Sequence, residues 1–330
     1  SATVYISGGT IIASSELGAD IGGGGTNSSQ SDDYGGVGTV TITGGEIEAH
    51  SGGIGGGRAN AGAGGNAIVD ISGGTINAIS IGGGNSQSGA GGSATVTVSL
   101  NANVYLTSGI GGGISNKKNG GDATVTVTGG QLVCEGVIGG GVSETLDGGN
   151  ATVTVTGGTL ESLSIGGGAG GTSGNGGSAE IDISGGTIVT GTIGGGTTLN
   201  PSGNIGFAKA IITDGDITGQ FIMAKGADEP CTFTMTGGIL NGLDTSTTSF
   251  NYKNGGAVYM DDPLGTAVLS GGTIKNGSAI LGGAVYMTAG QFTLENNGVI
   301  ESAPLMSLEK YGSDSVAQTK YGELGFPQNL

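Results

Sequence analysis

The chain has 330 residues, 79 of them glycine and only 5 proline, with 9 Lys+Arg against 26 Asp+Glu and a formal net charge of −17. Glycine without an every-third-residue period excludes collagen, and regularly placed Val and Ile argue against a disordered glycine-rich linker. The acidic balance argues against nucleic acid and anionic membranes, which need clustered cations, and no run of about 18 apolar residues is present to enter a bilayer.

The sequence opens directly on Ala2-Thr3-Val4-Tyr5-Ile6, an alternating strand pattern with no secretory signal ahead of it. That start is expected of a mature or excised piece of a longer polypeptide. Alternation of the same kind predicts first strands at 3–7, 39–43, 68–72, 95–99, 124–128, 152–156, 180–184, 209–213, 232–236, 266–270 and 291–295. Successive strand residues face opposite sides, so Val125 and Val127 are expected inside and Thr124, Thr126 and Thr128 in water. Later strands carry larger inward groups, Phe233/Met235 and Phe292/Leu294.

After most first strands a Gly-Gly pair turns the chain, and a short second strand follows, as in Thr75-Ile76-Asn77-Ala78 and Thr159-Leu160-Glu161-Ser162. Ile-Gly-Gly-Gly comes next, seven times, with its Ile at 21, 54, 81, 110, 138, 165 and 193. Each Ile is a further inward anchor, and about a dozen residues, such as 82–93 or 139–150, lead back to the next first strand. One such unit cannot bury its apolar face alone and must stack on its neighbours. The expected fold is therefore an all-β, right-handed parallel β-helix (solenoid) of about eleven rungs of ~28 residues, with three short strands per rung.

Beyond about residue 200 the Ile-Gly-Gly-Gly phrase stops, and Gly255-Gly256-Ala257-Val258-Tyr259-Met260 recurs as Gly282-Gly283-Ala284-Val285-Tyr286-Met287. Three segments follow: residues 1–200 and 201–300 as two subtypes of one helix, and a glycine-poorer tail, 301–330, as a C-terminal cap. The cysteines, Cys134 and Cys231, fall on different rungs too far apart for a disulfide. Cys134 stands where other repeats have Ala49, Ala78 or Ser162 and reads as a small core residue.

The phrase Ser270-Gly271-Gly272-Thr273-Ile274-Lys275-Asn276 followed by Gly-Gly-Ala-Val-Tyr-Met resembles β-helical repeats of Gram-positive, often gut-dwelling, bacterial surface proteins. It is also similar to repeats of polymorphic outer-membrane autotransporters. The Thr-Val-Thr-Val-Thr-Gly-Gly-Thr and Ile-Gly-Gly-Gly units look like the same Gram-positive class, and the resemblance covers roughly residues 1–300. It implies an extracellular, cell-surface location and a role in attachment. No wall-sorting motif is present.

Chemistry-bearing residues are sparse. The chain has one His, no Trp and 4% aromatics, leaving little for proton transfer or sugar stacking. Asp70 is four rungs from Glu180 and Asp182, ~19 Å along the axis at strand spacing, beyond the ~5–10 Å of a glycosidase carboxylate pair. His50, beside Ser51-Gly52, is expected in solvent. The Gly-Gly-Gly runs lack the Lys-Ser/Thr of a phosphate loop, so no cofactor is implied. Stacked calcium sites do not fit either, because most repeats carry Thr where a ligating Asp belongs; Asp32-Asp33, or Glu144 with Asp147, are expected as solvated acidic loops, with an isolated loop calcium site as the alternative.

The outward Thr95/Thr97, Thr124/Thr126 and Thr152/Thr154 would form a flat grid resembling the ice-binding faces of β-helical antifreeze proteins. Thr is equally a favoured residue of any exposed strand. A defined recognition site, if the chain has one, is expected at the longest departures from the repeat: the loop 22–38 with Asp32, Asp33 and Tyr34, and the insertion 243–254 with Phe250, Tyr252 and Lys253; plain loop decoration is the alternative. The functional expectation is a non-enzymatic adhesin or stalk binding host or microbial glycoconjugates or proteins. A carbohydrate-active β-helix enzyme and an ice-binding protein are the alternatives.

Overall fold

The computed structural model describes residues 1–224, 229–245, 254–279, 281–301 and 324–325. These residues form a parallel β-solenoid, with a spacing close to 28 residues and no helix among its elements. First strands such as Gly38–Ala49, Ala67–Ile71, Ala94–Val98, Ala123–Val127 and Ala151–Val155 pair in parallel, each with the equivalent strand of the next turn. Predicted and observed first strands start within one residue of each other up to Thr232–Asn241. The eleventh and last spans the 291–295 prediction inside a longer strand, Val285–Glu301.

The register explains the core. One column runs Val40, Val69, Val96, Val125, Val153, Ile181, Ala210, Phe233 and Ala267, each directly above the last. A β-branched residue fits a half-buried pleat, and identical residues stack without register slip. The column changes character at Phe233, whose ring lies between two alanines and meets Phe221 edge to face at 5.1 Å. Small partners above and below make room for the large one. Val125, Val127, Phe233 and Met235 are fully buried, as their alternation requires, while Thr124 and Thr128 are exposed.

Two inward expectations fare differently at the C-terminal end. Phe292 is only partly buried and Leu294 is 50% exposed, because no further first strand is described against the outer edge of theirs. The edge rungs also correct the rung count. Among the described residues eleven first strands stack, but only about nine turns are complete in the sense of having a neighbour on both faces.

Cys134 sits in register with Ser162 on one side and Leu106 on the other, and Leu106 with Ala78, the core position expected of it. Both cysteines are buried and neither forms a disulfide. Burial pushes the Cys134 thiol above its ordinary pKa, against the pull of the Gly136 and Ile110 backbone.

The long connections are not loose loops. From Gly206 back to Gly24 a single file of amide-to-carbonyl hydrogen bonds, 2.7 to 2.9 Å, links glycines alternately from the Ile-Gly-Gly-Gly segment and from the Gly-Gly pair before the next first strand. Gly113 donates to Gly92, Gly121 to Gly113 and Gly141 to Gly121, for example. A Cβ on Gly121 would lie 2.0 Å from the Gly92 carbonyl oxygen, so the backbones meet where no side chain fits. Beside this seam a buried stack of Ser86, Ser115 and Ser143 closes the connections. Each hydroxyl donates to a carbonyl of the preceding turn at 2.6–2.7 Å and accepts an amide three residues on at 2.8 Å.

The seam ends at Gly206 because the chain changes corners. Up to Ala224 the long connection runs from third strand to first, as between Gly166 and Ala179. In Val258–Lys275 and Val285–Glu301 the third strand of one turn flows straight into the first strand of the next, and the long connection falls between second and third strands. The ladder itself is unbroken, since Ala208–Ala224 pairs with both Thr232–Asn241 and Val258–Lys275. Leu324–Gly325 pairs with Val285 and Tyr286; the rest of the expected cap, from 302 on, lies outside the described residues.

Candidate functional site

Asp32, Asp33 and Tyr34 are exposed at the tip of the connection between the first two turns, where the Asp33 amide donates to the Gln30 carbonyl at 3.2 Å. The segment lies flat on the turn above: a Cβ on Gly62 would meet the Asp33 carbonyl oxygen at 2.4 Å. Tyr34 presents an aromatic ring at 63% exposure with no ring partner among the described residues. Phe250, Tyr252 and Lys253 lie outside the described residues.

The carboxylates stand apart, as their register dictates. Asp70, Thr97, Thr126, Thr154 and Asp182 occupy one outward column, placing Asp70 and Asp182 four strands apart. Glu180 faces Lys209 of the next turn at 3.9 Å, with both side chains about half exposed, an arrangement worth little. His50 is exposed, 3.2 Å from Glu48. Tyr105, on the outward face, donates its hydroxyl to Glu135, and that hydrogen bond to a carboxylate raises the phenol pKa.

Several acidic and amide side chains that look free in the sequence serve the backbone. Asp147 accepts the Asn175 amide at 2.7 Å and Asp122 the Asn150 amide at 2.8 Å; Asn150 and Asn175 repeat the contact one turn on, to Ser178 and Asn204. Asp20 gathers four amides on one carboxylate: Ser15 and Gly52 on Oδ1, and Ser51 and Gly53 on Oδ2, at 2.5–3.1 Å. It pins the second turn to the first. Among the described residues no three His, Cys, Asp or Glu groups come together as a metal site would require.

The feature that sequence reasoning missed is a groove. Three contiguous depressions join along the outer side of the Ile-Gly-Gly-Gly strands, sharing Ser80, Asn85 and Ile114 at one junction and Val137, Gly140 and Val142 at the other. Their floor is the glycines after each Ile. One rail carries hydroxyls, among them Ser80, Ser108, Ser164 and Thr192, and the other is mainly apolar, with Ile114, Val142 and Ala169. The stack from Ile21 to Phe221 spans seven register steps, ~34 Å at strand spacing. The signal in the sequence was the repeated glycine triplet; what it lacked was any sign that the returning connection stands off to one side and leaves a trough.

Comparison with known protein families, with curated proteins and with solved structures finds no match to this chain.

Proposed function

We infer that the chain is a rigid, non-enzymatic segment of an extracellular, surface-displayed adhesin or stalk, making repeated weak contacts with host or microbial glycoconjugates or proteins. One observation carries this reading: the parallel register runs unbroken through eleven strands, so the same outward positions recur every ~4.8 Å along one axis. A surface of that kind multiplies a weak contact into avidity without any single deep pocket. The amide-capping Asp and Asn side chains and the glycine seam support a stiff spacer, because they tie each connection to the next.

The test is retention. The chain displayed in many copies on beads is passed over arrays of glycans and host surface proteins and over whole cells. Retention that rises steeply with display density supports the reading. Release of new reducing ends from a polysaccharide panel, abolished by Glu180→Gln with Asp182→Asn, would instead establish a carbohydrate-active enzyme.

One observation favours a second reading, ice binding. Thr95, Thr124 and Thr152 align in one column and Thr97, Thr126 and Thr154 in the next. Thermal hysteresis that disappears in Thr126→Tyr supports it, and absence of hysteresis in the unaltered chain rejects it.

A further inference from the structure

We propose that the glycine-floored groove beside the Ile-Gly-Gly-Gly stack is a binding track for a neutral, linear polysaccharide laid parallel to the solenoid axis. The proposal rests on the attachment reading above and gives it a ligand class and a place.

Charge is the first argument. The protein carries −17 overall, yet no charged side chain lines the groove from Ser80 to Ile222; Glu16 and Arg58 appear only at its N-terminal end. An anionic polymer meets the field of the whole molecule with nothing local to offset it. A cationic polymer finds better partners elsewhere, in the trough lined by Asp122, Asp147 and Glu229. A neutral chain suits the uncharged track.

The shape of the floor is the second argument. A Cβ on Gly82, Gly111 or Gly139 would lie 1.8–1.9 Å from the carbonyl oxygen of the next turn's glycine, and one on Gly83, Gly112 or Gly140 would meet seam carbonyls equally closely. Those Cβ directions run into backbone rather than into the trough, so the glycines set consecutive turns in close, even register beneath it. Small-molecule pockets are closed and few; an open trough crossing seven turns fits a polymer.

Hydrogen bonding is the third. The floor amides of Gly83, Gly112, Gly140 and Gly167 donate along the axis to the following turn at 2.9–3.1 Å. Those amides are spent within the backbone, so the polar groups left to a ligand are the rail hydroxyls of Ser80, Ser108, Ser164 and Thr192, which donate and accept as a glycan's hydroxyls do. The rails match the two characters of a sugar ring, hydroxyls on one side and apolar carbon on the other. A peptide is disfavoured because the groove runs across the strands and offers no open strand edge for β-augmentation.

The experiment is calorimetric titration of the whole chain with cello-, laminari- and malto-oligosaccharides, with oligogalacturonate and a neutral Gly/Ser-rich peptide as comparison arms. At least one neutral glycan is expected to bind. Thr192→Trp, which fills the trough, is expected to weaken that binding by about tenfold or more, while Thr124→Trp on the threonine face leaves it unchanged. Ala169→Trp repeats the block from the other rail should Thr192→Trp fail to fold, as judged by circular dichroism. Binding unaffected by both groove variants, binding only by oligogalacturonate or peptide, or no neutral glycan bound overturns the proposal. A chain that still adheres to cells in that last case keeps the attachment reading alive, and one that adheres to nothing ends both.

Discussion

Replacing Gly121 by alanine adds one methyl group where two turns of backbone leave no space for it. The new Cβ would lie 2.0 Å from the Gly92 oxygen, 2.6 Å from its carbon and 2.9 Å from the Gly113 nitrogen, all main-chain atoms unable to swing aside. Relief requires the seam to open, and two of its hydrogen bonds meet at this residue, 2.9 Å to Gly113 and 2.8 Å from Gly141. Overpacking costs ~1–3 kcal/mol and each hydrogen bond contributes ~1 kcal/mol, so the loss is about 3–5 kcal/mol. That is a large share of the ~5–15 kcal/mol by which domains are stable.

Gly24 is the matched control: it ends the same seam, but a Cβ there meets nothing within 4 Å. Gly24→Ala should leave stability unchanged or raise it by ~0.4–1 kcal/mol, through the restricted unfolded chain. Urea unfolding followed by far-UV circular dichroism measures both, and hydrogen exchange should place the Gly121→Ala defect in the turns on either side of it. Equal midpoints for the two variants would refute the close-packed seam.

Other consequences are accessible to simple assays. Asp20→Ala strips the acceptor from four amides of the first two turns; a loss of ~2–4 kcal/mol is expected, with faster exchange at Ser51, Gly52 and Gly53 as the readout and unchanged exchange as the contrary result. Tyr105 should ionise at a higher pH than an ordinary tyrosine, and Glu135→Gln should lower its midpoint, by absorbance titration near 295 nm, since the carboxylate acceptor raises it. Cys134 and Cys231 should ignore a thiol reagent in the native state and react fully in denaturant. The raised thiol pKa of Cys134 has a further consequence. Its contribution to stability is complete below the ordinary thiol range and is lost as pH climbs through the raised value, so alkaline destabilisation should be smaller in Cys134→Ser.

Much of the fold was legible because its signals are local and repeated. Alternation at Val125/Val127 gave the inward face, and the constant Ala-Thr-Val-Thr-Val phrase gave the register. Cys134 could be placed for the same reason: a fixed offset from Gly-Gly identifies a core column without knowing what else fills it. Leu294 obeys the pattern yet is half exposed, since a pattern names a face and cannot say whether another turn covers it. The glycine seam was not legible. Gly92, Gly113 and Gly121 meet only after the connection folds back on the turn below, and spacing in sequence does not report such an approach. Rung 4 shows the limit from the other side, for Leu100 adopts a positive φ of 51° where neighbouring turns use Gly-Gly. Of the candidate site, Asp32, Asp33 and Tyr34 lie exposed, whereas the groove was not legible because it forms only where depressions of successive turns line up along the axis.

Distances between nitroxide labels at equivalent positions put the whole account at risk most directly. Thr39, Thr152 and Thr232 occupy one outward column, four and seven register steps apart counting from Thr39. Pulsed electron–electron resonance on the Thr39/Thr152 and Thr39/Thr232 pairs should give about 19 Å and 34 Å, in proportion to the number of ~4.8 Å steps. Separations that fail to grow with step number, or that bring Thr39 closer to Thr232 than to Thr152, would contradict a parallel solenoid.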